Sequence, residues 1–487
     1  MGVPSYFYWL INTYKKNLLR SEISITSALF LDLNCAIHPA VKQNPDWTIE
    51  EMYVAITEYM DSIIEFANPQ ELIYVGIDGV APMAKMQQQR IRRYKSKMFG
   101  DKTKVDYNMI SPGTEFMAQL SIYLHEYYKS IGVKFIISDS DSPGEGEHKI
   151  FEYLRQHPMP GKTIAIYGLD SDLIFLSILS PERIYLLREK MQYGKLTTSD
   201  SKYIYLDIEF LKTKLIALLK TPFCQDPKRL LLDYVFFSFL LGNDFLPCIP
   251  SLFIRDGGIQ LLIDGYTIMS KRYNDYLITE DHDINYELYY IYLQLLQDKE
   301  EESINRYSIT KQDRIRKYLK NPKVDEYIEH MAPDTIYNSI EVWQKRHNKH
   351  YFDTNNSEEL AKIGRNYNTG MLWTLRYYTG KSFSWQWRFL YLAAPPISYL
   401  RCVGDLKATY DKGIYISPII QLLYILPISS IKLIPEYLQG IMKDSGLYPP
   451  EESIKYCILN KKYLHEVLLY LPDLSIKKIR KAFSLYE

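Results

Sequence analysis

Short apolar runs and amphipathic stretches alternate along the first half of the chain. Residues 28–33, 71–77, 133–138, 163–168 and 184–187 have the length and apolar character of buried strands. Helical spacing fills the intervals. Residues 47–66 form one helix, opened by Asp46 or Thr48 as cap, and residues 82–97 a basic one. Ser111-Pro112-Gly113-Thr114 starts another that runs to about Ser130, and residues 144–155 a fourth. Strands separated by crossover helices predict an α/β fold with a mainly parallel sheet covered on both faces.

The pattern then changes. Residues 271–365 are charged, Tyr-rich and helical in tendency, with apolar spacing kept in 286–296, and predict a helical insertion or linker. From 366 to 487 the chain is aromatic and apolar again. The expected blocks are therefore 1–270, 271–365 and 366–487.

Composition narrows the reading. Lys+Arg and Asp+Glu are both 58, so any polyanion must be held by local charge. Cys35, Cys224, Cys248, Cys402 and Cys457 form no CxxC pair, which argues against a zinc ribbon or disulfide framework and fits a reducing compartment. Residues 230–241 and 414–426 are too short or too interrupted to span a bilayer, and the N-terminus carries no readable targeting signal. An intracellular protein, cytoplasmic rather than nuclear, is expected, with no membrane partner.

Ligands of open α/β sheets bind beyond the carboxyl ends of the strands, and the acids concentrate there. Asp32 ends the first strand, Asp78 the second, and Asp170 follows the fourth. Asp170/Asp172 and Glu145/Glu147 are pairs two residues apart at strand-to-helix junctions, and Asp244 follows an apolar run in LGNDFLP. A single Asp after a strand is usually a turn former or a cap. Seven acids at one predicted rim are hard to ascribe to capping. Oxygen ligands without His or Cys select Mg²⁺ or Mn²⁺, and two such ions suit in-line phosphodiester displacement.

Between Lys85 and Lys104 there are eight basic residues and one acid. Lys85, Gln89, Arg92 and Arg93 are spaced i, i+4, i+7, i+8, so they fall on one side of a helix and make a phosphate cradle. The bland alternative is a solvated surface helix. His38, beside Pro39, reads by itself as a loop residue.

The blocks FLDLN, DGVAPMAKM, SPGEGEHKI, YGLDSD and LGNDFLP resemble, in order, the successive active-site blocks of the Xrn/Rat 5′→3′ exoribonucleases. The resemblance covers residues 1 to about 268. It implies a PIN/flap-nuclease-like core with a mostly helical C-terminal region. It also implies that Asp32, Asp78, Glu145, Glu147, Asp170, Asp172 and Asp244 are the catalytic metal-binding acids, holding Mg²⁺ (or Mn²⁺), with two ions. Lys85, Gln89, Arg92 and Arg93 match the pocket that grips a 5′-monophosphate. His38 matches a residue that stacks on the first base, with Trp385 or Trp387 as its counterpart and buried core as the alternative for both tryptophans.

The implied activity is processive 5′→3′ digestion of single-stranded, 5′-monophosphorylated RNA to nucleoside 5′-monophosphates, by a monomer. Looser likeness continues from Met371 to Asp473, and the chain is expected to be a short form with only the two shared blocks. Residues 94–110 are shorter than the family's usual projection, so a short basic loop is expected there. A flap-endonuclease-like or DNA-directed 5′ nuclease is a rival, but the residues after Asp244 lack a glycine-rich duplex-gripping pattern. A catalytically inactive RNA-binding scaffold is a third reading, against which none of the seven acids is missing.

Overall fold

The computed structural model describes residues 3, 5–100, 104–192, 195–196, 202–322, 327–401, 412–444 and 446–483. Cys402 lies outside them. The chain forms two compact units, both discontinuous in sequence: Tyr14–Leu211 with Gly413–Lys455 and Leu471–Glu487, and Met1–Thr13 with Lys212–Lys412 and Tyr456–Tyr470. Among the described residues no helix is long and apolar enough to cross a membrane.

The first unit is built on a seven-stranded sheet of β1 (Leu19–Arg20), β2 (Thr26–Asp32), β3 (Pro69–Gly76), β4 (Lys134–Ser138), β5 (Thr163–Tyr167), β6 (Arg183–Glu189) and β7 (Tyr203–Asp207), in the order β1-β7-β6-β5-β2-β3-β4. The five strands from β6 to β4 are mutually parallel. β7 and β1 extend one edge antiparallel, and were not anticipated. All seven residues of β2 are buried, which is why it reads as a continuous apolar run instead of an alternating one. The chain leaves β2 toward β3 and β4, then crosses to β5 on β2's other side. That reversal makes the carboxyl ends of β2 and β5 a topological switch point, the place where open α/β sheets bind their ligands.

The main helices of this unit are α1 (Asn34–Val41), α2 (Ile49–Ala67), α3 (Met83–Phe99), α4 (Glu115–Tyr128), α5 (Gly146–Gln156), α6 (Ser171–Leu179), α7 (Pro418–Ile425) and α8 (Ile476–Phe483). Thr48, of the two expected candidates, caps α2 through a capping box with Glu51. Leu29, Leu31, Ile73, Val75 and Tyr167 of the sheet pack with Ile56, Met60, Met117 and Leu120 of α2 and α4. The opposite face carries Phe30 and Tyr74 against Tyr153 of α5. A second core joins Met83 and Met86 of α3 to Leu422 and Leu423 of α7 and Ile479 of α8.

α1 replaces the loop expected around His38. Its Pro39 removes one helical hydrogen bond, yet Ala36, Ile37, Ala40 and Val41 are all buried, and that packing outweighs the local break. α3 ends at Phe99 with Gly100 as its cap, so residues 94–99 of the expected basic loop are helical, and Lys97 pairs with Asp106 at 3.0 Å; residues 101–103 of that span lie outside the described residues.

The second unit is mostly helical, with Pro227–Ser238, Gly258–Tyr273, Tyr286–Gln297, Glu300–Lys320, Trp343–Phe352 and Ser357–Thr379 as its main elements. The charged run 299–302 opens one of these helices, and Glu300 faces inward. Its carboxylate accepts from Ser251 Oγ, Gln344 Nε2 and the amide of Ile397, tying together three segments.

Candidate metal centre and phosphate helix

In a parallel sheet every strand-to-helix junction falls on the same rim, and six of the seven predicted acids are there. Asp32 is the last residue of β2, and Asp78 lies two residues past β3. Glu145 precedes α5 with Glu147 in its first turn, and Asp170 precedes α6 with Asp172 in its first turn. Glu145 and Asp170 occupy N-cap positions, yet neither side chain makes a capping hydrogen bond. Capping therefore does not account for these two acids.

Two glycines let the elements close in. A Cβ on Gly76 would lie 2.7 Å from Gly146 O, and one on Gly146 would lie 2.8 Å from Asp32 Oδ1 and 2.9 Å from Gly76 O. The start of α5 thus sits directly over the ends of β2 and β3. The Gly146 amide donates to Asp78 Oδ1 at 2.8 Å, and the Asp78 amide donates to Asn34 Oδ1 at 3.1 Å. As a result, one carboxylate oxygen from each of Asp32, Asp78 and Glu147 falls within 4.8 Å of the others. Glu145, Glu147 and His148 form a second such group, which shares Glu147.

These groups are electrostatically frustrated as they stand. Burial, reinforced by the charge of Asp78, pushes the Asp32 carboxyl up to about 8, with a smaller push from Asp170. Burial and the neighbouring Glu145 raise Glu147 well above the carboxylate range. A divalent cation among hard oxygen donors relieves both effects, so the residues present fit one. Burial also holds His148 well below the usual imidazole range, leaving it neutral.

Lys85, on the first turn of α3, forms ion pairs with Glu145 and, at 3.9 Å, with Glu147. Gln89 and Arg93 follow it on the buried side of α3, whereas Arg92 is exposed. Arg93 Nη2 donates to Ser111 Oγ at 2.5 Å and Nη1 to Gln89 O at 3.5 Å, while its Nε and Gln89 Oε1 have no partner among the described residues. His38 is close enough for burial and the charges of Arg92, Lys42 and Arg93 to hold its imidazole at about 3. A neutral ring therefore stands beside the arginines.

Several supporting residues escaped sequence reasoning. Lys149 Nζ donates to Ile77 O at 2.7 Å and Asp139 O at 2.6 Å, fixing the loops that follow β3 and β4. Cys35 donates to Asp32 Oδ2 at 3.0 Å, and Gln421 Oε1 accepts from the Ala81 amide at 2.9 Å. The signal for Lys149 was its place two residues after Glu147. Nothing local marked Gln421, which is 340 residues from its partner.

Asp244, Trp385 and Trp387 belong to the second unit. Asp244 is half-buried in a tight turn. There Asn243 Oδ1 accepts the amides of Phe245 and Leu246, and Gly242 takes φ +85° with no room for a Cβ beside Cys248. Asn243 is thus the turn former. Trp387 stacks on Trp373 at 5.1 Å and 29°, and Trp385 lies against Phe383 at 5.5 Å.

The description "XRN 5'-3' exonuclease N-terminus" matches residues 1–190, and "Xrn1 helical domain" matches 225–337 and 325–483. Human 5'-3' exoribonuclease 1 is 27% identical over 99% of this chain, which spans only 34% of that relative. The 5'-3' exoribonuclease 2 of Gallus gallus is 26% identical over 99% of the chain and 70% of its own length. Among solved structures, the catalytic core of Rad2 in complex with DNA substrate gives a TM-score of 0.37 at 16% identity, covering 70% of this chain and 85% of that one, too low to carry weight. With the helical-domain match alone extending over more than half of its length, the chain belongs to the XRN 5'-3' exonuclease family.

Proposed function

We infer that the protein is a metal-dependent exoribonuclease that digests single-stranded, 5′-monophosphorylated RNA processively from its 5′ end to nucleoside 5′-monophosphates. The observation that carries this reading is the convergence of Asp32, Asp78 and Glu147 oxygens within 4.8 Å, with Lys85 of the basic helix paired to the adjoining Glu145. Asp32, Asp78 and Glu147 hold a Mg²⁺ or Mn²⁺ ion. Glu145, Asp170 and Asp172 complete the acids available to a second. When bound, such cations offset the charge on a phosphodiester oxygen and lower the pKa of a water.

The chain's own residues supply position. Asn34 and the Gly146 amide fix Asp78, Lys149 holds the loops behind it, and Lys85 restrains Glu145 and Glu147. Gln89, Arg92 and Arg93 take the 5′-phosphate, where a fixed guanidinium favours a monophosphate over a hydroxyl end. His38, neutral at physiological pH, offers a flat ring to the first base irrespective of its identity. The roles of Asp244 as a further acid ligand and of Trp385 or Trp387 as a stacking ring rest on the family's motifs alone. Scattered cysteines and the RNA substrate favour an intracellular, cytoplasmic enzyme acting as a monomer.

RNAs alike except for a 5′-monophosphate, triphosphate, hydroxyl or cap, incubated with Mg²⁺ or EDTA, test this reading. Digestion of the monophosphate form in Mg²⁺ alone is expected. Equal digestion of all four, or digestion in EDTA, would overturn it.

A further inference from the structure

The final helix, α8, divides its residues by chemistry. Ile476, Ile479, Ala482 and Phe483 join the core around α7, with Ile479 fully buried. Lys477, Lys478, Arg480 and Lys481 fall on the other side and are exposed. Half of this eight-residue helix is cationic and none of it acidic, in a chain whose formal net charge is zero. Lys477, Lys478 and Arg480 are in no ion pair with the described residues.

A basic amphipathic helix ordinarily suggests a membrane surface or a groove-binding peptide. Neither fits, because the apolar face those partners need is already in the core. What remains for a partner is an array of cations, which suits a polyanion. The location adds to this. α8 and the basic helix α3 pack against the same helix, α7. Arg90 of α3 donates to Pro472 O at 2.9 Å, just before α8, and lies over the Tyr424 ring of α7 at 5.7 Å. The phosphate-facing helix and α8 are thus parts of one packed body.

We propose that the exposed face of α8 binds the phosphate backbone of the RNA substrate outside the catalytic centre, adding affinity for long chains without touching the reacting end. That the polyanion is RNA rests on the function proposed above. The test compares wild type with K477E/K478E/R480E and the neutral K477Q/K478Q/R480Q, all in EDTA, by fluorescence anisotropy on a long unstructured RNA and on a trinucleotide, each 5′-monophosphorylated. Thermal melting of both variants checks that α8 stays packed. For single strands the salt slope scales at about 0.7 per phosphate contact, so losing three cations should lower it by about 2 and weaken long-RNA binding at least tenfold. Trinucleotide binding, and its hydrolysis in Mg²⁺, should be unchanged, with the glutamine variant intermediate on the long RNA.

Unchanged long-RNA affinity and salt slope would overturn the proposal, whatever acidic protein the helix then bound. Parallel loss on the trinucleotide would overturn it too. A wild type that binds long RNA through these residues but degrades none would sink the proposed catalysis and leave the surface standing.

Discussion

The amide of Gly146 donates to Asp78 Oδ1 at 2.8 Å, joining the start of α5 to the loop after β3. A methyl group on Gly146 would press on Asp32 Oδ1 and Gly76 O, both backbone or short side-chain atoms that cannot swing away. Alanine is otherwise favoured over glycine in a helix by roughly 0.5–1 kcal/mol, so helix propensity alone predicts a gain. We expect the opposite for Gly146→Ala: a stability loss of about 1–3 kcal/mol from overpacking and at least a hundredfold loss of RNA hydrolysis. Melting and initial rates check this, and a stabilised, active variant would refute the close approach.

Asp32→Asn should separate metal binding from folding. Asp32 is buried among Asp78, Glu147 and Asp170, where its ionised form is disfavoured when no cation is present, so a neutral amide there does not weaken the folded state. In EDTA the variant should melt at or above the wild-type temperature. The rise in melting temperature produced by Mg²⁺ in the wild type should disappear, along with activity. A Mg²⁺-dependent rise equal to wild type would show that Asp32 holds no ion.

The two arginines of α3 should part company. Arg93 is buried and tied to Ser111 and Gln89, whereas Arg92 is exposed. Each alanine variant should lose preference for 5′-monophosphate over 5′-hydroxyl RNA by about 1.5–3 kcal/mol, the scale of a charge-assisted contact. Arg93→Ala alone should also lower the melting temperature.

Glu300 of the helical unit is raised by burial from an ordinary 4.5 to about 7. Between those values the folded protein keeps a proton that the unfolded chain has lost. Its contribution is therefore complete below pH 4.5 and is lost as pH rises through about 7. Glu300→Gln should flatten this part of the stability–pH curve, by an amount on the order of 1–3 kcal/mol, in denaturant titrations between these limits.

The acidic rim was legible because parallel topology sends every strand-to-helix junction to one side. Asp32, Asp78, Glu145, Glu147, Asp170 and Asp172 needed only the strands to be read correctly. The edge strands Leu19–Arg20 and Tyr203–Asp207 were not legible, since two to five residues paired antiparallel carry no helix spacing to announce them. Helix α1 was hidden by Pro39, whose local cost is outweighed by burial that no local pattern reports. The spacing of α3 put Arg92 and Arg93 on one side, but adjacent helical residues point about 100° apart. Only the packing against Ser111 decided which one is buried. Alternation of chain segments between the two units, with 456–470 in one and 471–487 in the other, leaves no mark in composition.

The shortness of the span from Tyr94 to Ile110 bears on structured substrates. α3 ends at Phe99 and Lys97 pairs with Asp106, and we propose that a span this short braces an incoming duplex less than the family's longer projection. We expect efficient digestion of unpaired RNA and earlier stalling at stable hairpins than in larger relatives. An RNA series with hairpins of graded stability measures this, and equal progress through weak and strong hairpins would contradict it.

Single nucleotides are expected to leave in one direction, from the 5′ end, at the Asp32–Asp78–Glu147 centre. The direct measurement is a time course, in Mg²⁺, of a 5′-monophosphorylated RNA labelled at its 3′ end, with wild type and Asp78→Ala side by side. Wild type should release nucleoside 5′-monophosphates from the first turnover while the labelled strand is lost without discrete internal fragments, and Asp78→Ala should leave it intact. Release of the 3′ label as the first product, internal fragments, or undiminished digestion by Asp78→Ala would contradict the account.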